Sequence, residues 1–233
     1  MNVVIQCAGS KRENAPSLIS PDGRKVKFVA DPSAGTPPDG VLWARPDDDI
    51  PGQARTWRDE LARLVASDEA SRSLLPAWRL YKRDAYGQLV RALGQQRVFI
   101  LSAGWGLVRA DFPLPDYDIT FLRDADAVHR RLRTHRFRDF MQLDMNSSGP
   151  VVFIGGKDYL PLFQALTESI PARKVVLYRV PPRPTPTACR TEGLWTYTPY
   201  PTNTCTNWHY GAAAAICRDA AAVVGQPRLG GIG

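Results

Sequence analysis

Three runs of almost unbroken apolar, largely β-branched residues each end directly in a glycine-bearing turn. Asn2 to Gln6 opens into the turn from Cys7 to Arg12 (CAGSKR), Val98 to Leu101 into Ser102 to Gly106 (SAGWG), and Val151 to Ile154 into Gly155 to Asp158 (GGKD). Runs of this kind are buried strands, and the turns after them lie at their carboxyl ends. Lys174 to Val180 supplies a fourth strand. Between the strands the spacing predicts helices over Thr56 to Ser67, from about Ser73 or Pro76 to Leu93, over Asp124 to Leu143, over Asp158 to Ser169 and over Tyr210 to Val224. The alternation implies an α/β protein: a central, mostly parallel sheet flanked by helices on both faces and joined by right-handed crossovers.

Two segments depart from that rhythm. Arg24 to Ala30 alternates polar and apolar residues, Val41 to Ala44 can pair with it, and three Pro and two Gly lie between Asp31 and Gly40. The expectation is a hairpin-like insertion over about 20–55. Residues 181–209 are rich in Pro, Thr and Tyr with little periodicity, and are expected to form a long loop folding over the crevice. The whole is expected to be one domain over 1–225 with a flexible tail at 226–233.

Among 233 residues, 44% are hydrophobic and 23% charged, the balance of a soluble globular chain. No run approaches the roughly eighteen apolar residues of a membrane span, and Met1 to Ile5 leads straight into a strand, so a cytoplasmic protein without membrane contact is expected. Cys7, Cys189, Cys205 and Cys217 are scattered without a C-x-x-C pair. Cys205 and His209 lie four apart but lack two further ligands, so reduced thiols, no metal and no cofactor are expected.

The net charge of +7 is uneven. His129, Arg130, Arg131, Arg133, His135, Arg136 and Arg138 crowd into ten residues. The strip suits a phosphate backbone, and equally a solvated helix face. Each of the three turns has Gly where backbone can approach a ligand closely, and Lys11 and Lys157 follow the small residues of two of them. No Walker or dinucleotide-binding fingerprint is present. If the sheet order sets the turns side by side, they form one anion-binding edge from Ser10, Lys11, Gly155, Gly156 and Lys157.

The segment from Leu101 to Phe121 (LSAGWGLVRADFPLPDYDITF) resembles YaaA-like proteins, on Leu101, Ser102, Trp105, Gly106, Leu107, Arg109 and Tyr117. The stretch from Leu80 to Leu89 is similar to the tyrosine-containing helix that precedes this strand in those proteins, and Val4 to Arg12 looks like their first strand and Ser-Lys turn. The likeness covers about a hundred residues in pieces. It implies a YaaA-like or uracil-DNA-glycosylase-like α/β fold and work on DNA: repair of oxidative damage, or phage defence by removal of modified bases.

The residues supply parts for N-glycosidic cleavage. Sugar oxocarbenium character calls for a carboxylate, with Asp111, Asp116 and Asp118 available. An extruded base needs stacking and edge contacts, for which Trp105, Gly106, Tyr117, Ser102 and Gln6 are candidates. Lys11, Lys157, Arg109 and the strip containing Arg130, Arg131 and Arg133 can hold the backbone, and His209 can assist the leaving base. Each has a structural alternative. Trp105 can cap the sheet, Asp118 can cap a turn, Tyr117 can bond to backbone, and His209 can pack at a helix start. The leading expectation is a DNA glycosylase. A non-enzymatic DNA-binding protein and an enzyme acting on free nucleosides or nucleotides stand beside it, and RNA remains open as a partner.

Overall fold

The computed structural model describes residues 1–121, 138–147, 149–182 and 188–224. The first part of the chain gives β1 (Asn2–Gln6), β2 (Leu18–Ile19), β3 (Lys25–Val29), β4 (Val41–Ala44), α1 (Trp57–Ala66), α2 (Glu69–Ser73), β5 (Leu75–Pro76), α3 (Ala77–Leu80) and α4 (Ala85–Leu93). The middle gives β6 (Val98–Ser102), β7 (Gly106–Arg109), β8 (Pro113–Leu114), β9 (Tyr117–Asp118), β10 (Phe140–Met141) and β11 (Val151–Ile154). The last part gives α5 (Leu160–Thr167), β12 (Lys174–Val180), β13 (Arg190–Glu192), β14 (Trp195–Pro201), α6 (Trp208–Arg218) and α7 (Ala220–Val224).

Eight strands form the main sheet in the order β10-β7-β6-β1-β11-β12-β14-β13. The parallel set within it, β6-β1-β11-β12-β14, follows the 2-1-3-4-5 order of a doubly wound sheet. Its winding reverses between β1 and β11, where such sheets open a crevice at their carboxyl edge. Every residue of β6 and β11 is buried, as continuous apolar runs require. Helices α4 and α6 pack on each other, touching β6 and β11 respectively. The helix expected from Thr56 forms as α1, where the Thr56 hydroxyl accepts from the Asp59 N–H and the Asp59 carboxylate accepts from the Thr56 N–H. Among the described residues, no helix is long and apolar enough to cross a membrane.

Four expectations need correction. The insertion is no simple hairpin: β2 and β3 pair antiparallel, but β3 and β4 are parallel, because the Asp31 to Gly40 stretch is long enough to carry the chain back across. The helix expected to run to Leu93 breaks at Tyr81, whose backbone is extended and forms a bridge with Lys11. There the Arg12 N–H donates to Leu80 O and the Lys82 N–H to Ser10 O, so tertiary bonds replace a helical turn. The helix expected over Asp124 to Leu143 lies mostly outside the described residues, and its end is instead β10, parallel to β7. The long loop over 181–209 contains a β-hairpin, and its β14 joins the sheet beside β12 along seven paired residues. That segment extends the sheet instead of covering the crevice. The tail beyond Val224 lies outside the described residues.

Candidate functional site

Because β6 and β11 flank β1 in register, the three glycine turns do stand side by side at the carboxyl edge. Gln6, the last residue of β1, spans the switch point: its Oε1 accepts the Gly156 N–H at 2.5 Å. A Cβ on Gly155 would run into the Phe153 ring, and one on Gly156 would stand 3.4 Å from Gln6 Oε1. Glycine therefore serves close packing here. Ser10 and Lys157 are exposed on the rim.

Beneath the rim lies a buried cluster of hydroxyls. Tyr81 Oη and Tyr117 Oη are 2.6 Å apart, and Ser102 Oγ donates to Tyr117 Oη at 2.9 Å. Ser102 Oγ in turn accepts from the N–H groups of Gly104 and Trp105 at 3.3 and 3.1 Å, which fixes the turn after β6. Tyr86 Oη donates to Gln6 O at 3.0 Å, and Cys7 Sγ stands 3.3 Å from Tyr159 Oη. Burial pushes the phenols of Tyr81, Tyr86, Tyr117 and Tyr159 well above their ordinary value, so all four remain hydroxyls.

Lys11 stands over this cluster. Its side chain is nine-tenths buried, and its Nζ lies 3.9 Å from the centroid of the Tyr117 ring with no hydrogen-bond partner among the described residues. Burial lowers its pKa, and the nearby cation of Lys27 adds to this; Cys7, Asp118 and Asp116 oppose the shift. The half-buried Asp116 moves the other way: desolvation lifts its carboxyl above the ordinary value, against the pull of Lys11 and Lys27. Asp118 is exposed in β9, where it pairs through its backbone with Val29 of β3. Asp116 and Asp118 thus both lie within electrostatic reach of Lys11.

The structure separates other residues that the sequence had grouped. Arg109 and Asp111 are not at this edge. β7 runs antiparallel to β6, pairing Gly106 with Ser102 but Arg109 with Phe99, so the return strand carries both to the opposite end of the sheet. There they pair with each other, Arg109 Nε to Asp111 Oδ1 at 2.5 Å. Trp105 is wholly buried against Phe28 and Phe140 and offers no face to a base. Gly106 has φ +94, and a Cβ there would meet Phe140 O at 2.6 Å, so it permits the pairing of β7 with β10. Tyr117 is buried too, with its hydroxyl bonded to Tyr81 and Ser102 rather than open for stacking.

His209, in the first turn of α6, is buried and packs 4.1 Å from the Tyr210 ring. Desolvation, reinforced by Arg83, lowers its pKa to about 4, so it is neutral at pH 7. Arg130, Arg131 and Arg133 lie outside the described residues. Cys205 faces Arg179, with Arg179 Nη2 3.2 Å from its Sγ.

Two contributors were missed in the sequence. Tyr81 lies in the stretch from Leu80 to Leu89, whose likeness to the tyrosine-containing YaaA-like helix was the available signal. Arg58 had none. It donates to both carboxylate oxygens of Asp47 at 2.6 and 3.0 Å, and to Gly104 O and Trp105 O at 2.9 and 3.1 Å, tying the insertion to the turn after β6.

Compared with protein-family models, curated proteins and solved structures, the chain matches none.

Proposed function

We propose that the protein is a DNA glycosylase that cleaves the N-glycosidic bond of a modified or damaged base. One observation carries the reading: Asp116 and Asp118 lie within electrostatic reach of Lys11, a lysine buried in the turn after β1 at the carboxyl edge of the main sheet. A carboxylate exposed there stabilises positive charge developing at the sugar and orients water, the role given to Asp118. Asp116, whose carboxyl desolvation makes harder to ionise, is given the role of passing a proton to the departing base. Ser10 and Lys157, exposed on the rim, are the groups given to the phosphates. The resemblance of the Lys11, Tyr81 and Tyr117 segments to YaaA-like proteins supports the same reading, since these three residues meet in one cluster.

A second reading, an enzyme acting on free nucleosides or nucleotides, is favoured by the burial of Trp105, which removes the aromatic platform for an extruded base.

The test is incubation of the protein with a DNA panel, including phage DNA with hypermodified bases, and with free nucleosides, followed by mass spectrometry of released base. Release from DNA that is lost in Asp118→Asn and kept in Asp111→Asn is the expected result. Release only from nucleosides establishes the second reading. Tight, salt-sensitive DNA binding without release would make the protein a DNA-binding protein without this chemistry.

A further inference from the structure

We infer that Lys11 is an amine nucleophile that attacks the sugar C1′, so that excision passes through a covalent Schiff base; this builds on the glycosylase reading.

The observation is a contrast among lysines. Lys174 is buried and its Nζ donates to Ile170 O, while Lys82 is exposed and pairs with Glu13 at 2.8 Å. Lysines in structural roles find an acceptor because an unpaired ammonium is costly to bury. Among the described residues, Lys11 Nζ is buried with no acceptor, set only against the face of the Tyr117 ring, although the hydroxyls of Tyr81, Tyr117 and Ser102 beneath it are partnered. Its backbone is fixed on both sides, by Arg12 N–H to Leu80 O and Lys82 N–H to Ser10 O, so the amine is held in place. Desolvation, with the cation of Lys27 beside it, favours the uncharged amine that a lysine nucleophile requires. Two carboxyl groups stand by for the protons: Asp116, lifted, and Asp118, exposed.

The step balances without a redox partner. The Nζ lone pair forms the Nζ–C1′ bond as the C1′–base bond breaks. The base leaves with that electron pair and takes a proton from Asp116, while Nζ gives one of its protons to Asp118. The remaining Nζ lone pair then expels O4′, forming the C1′=Nζ iminium, and O4′ takes the proton from Asp118. Water adds to the iminium, returning the Lys11 amine, freeing the abasic aldehyde and restoring the proton to Asp116.

The experiment incubates the full chain and sodium borohydride with two sets of DNA: the panel above, and oligonucleotides carrying a preformed abasic site. Reduction converts the iminium to a stable amine, and peptide mapping of the wild-type adduct locates it without relying on a variant. The expected result is a DNA adduct on the peptide containing Lys11, lost in Lys11→Arg with circular dichroism unchanged. Base release with no trapped adduct, or an adduct on another lysine, overturns the inference and leaves the glycosylase reading intact. An adduct at Lys11 on abasic DNA without base release from any DNA upholds the amine chemistry and overturns the glycosylase reading. Neither adduct nor release overturns both.

Discussion

Replacing Arg58 with Met removes the guanidinium but keeps an apolar stem where the side chain lies over Trp105 and Phe140, each 5.5 Å from the guanidinium carbon. The Arg58 side chain is 3% exposed and its partner Asp47 27%, so the pair belongs to the interior more than to the surface. Four charge-assisted hydrogen bonds disappear with it, two to Asp47 and one each to the carbonyls of Gly104 and Trp105. Removing one partner of a buried pair costs about 3–5 kcal/mol, since the other charge stays behind. For a chain of this size that lowers Tm by about 6–20 °C. Urea unfolding of the wild type, Arg58→Met, Asp47→Asn and the double variant gives the loss and the coupling. Coupling above about 1 kcal/mol is expected for groups in direct contact. A loss below about 1 kcal/mol for Arg58→Met would refute the argument, placing the pair among surface ion pairs.

The buried His209 has its pKa lowered from the ordinary 6.5 to about 4, so between those values the unfolded chain binds a proton that the folded chain refuses. Stability is therefore full above pH 6.5, falls as pH drops towards 4, and loses about 3 kcal/mol in all; urea unfolding across this window shows the slope, and His209→Gln flattens it. Gly106→Ala is expected to cost at least about 2 kcal/mol in thermal unfolding, from the positive φ and the backbone that the new Cβ meets. Gly104→Ala costs less, because its nearest neighbour is the end of the Ile119 side chain at 3.2 Å and its φ is not positive.

Buried parallel strands were readable because their chemistry is local: Val98 to Ser102, Val151 to Ile154 and Lys174 to Val180 are apolar runs of strand length, and all three form. Their lateral order was not, since nothing local in a sequence says which strand lies beside which. Trp195 to Pro201 hid its strand in another way. Thr196 and Thr198 are its buried positions while Trp195 and Tyr197 are only half-buried, the reverse of the usual pattern, and two prolines disguise it further. The break at Tyr81 was invisible because Tyr81, Ala85 and Leu89 keep helical spacing while a distant segment supplies the competing bonds. One misplacement was avoidable. Apolar runs on either side of Ala103, Gly104 and Trp105 are a hairpin signal, and a hairpin would have sent Arg109 and Asp111 back down the sheet. For the site, the turns were legible one by one; the convergence of Lys11, Tyr81 and Tyr117 required three dimensions.

The pairing of β3 with β9 reaches beyond the small sheet it completes. Phe28 and Val29 stand opposite Tyr117 and Asp118, so the segment that looks like an appendage is the backbone partner of the residues nearest Lys11. With Arg58 and Asp47 fastening its other end to the turn after β6, the appendage works as a splint. A shortened version of the chain without residues 20–55 would keep every strand of the main sheet and still lose the alignment of Asp118. The two parts cannot be engineered independently of each other.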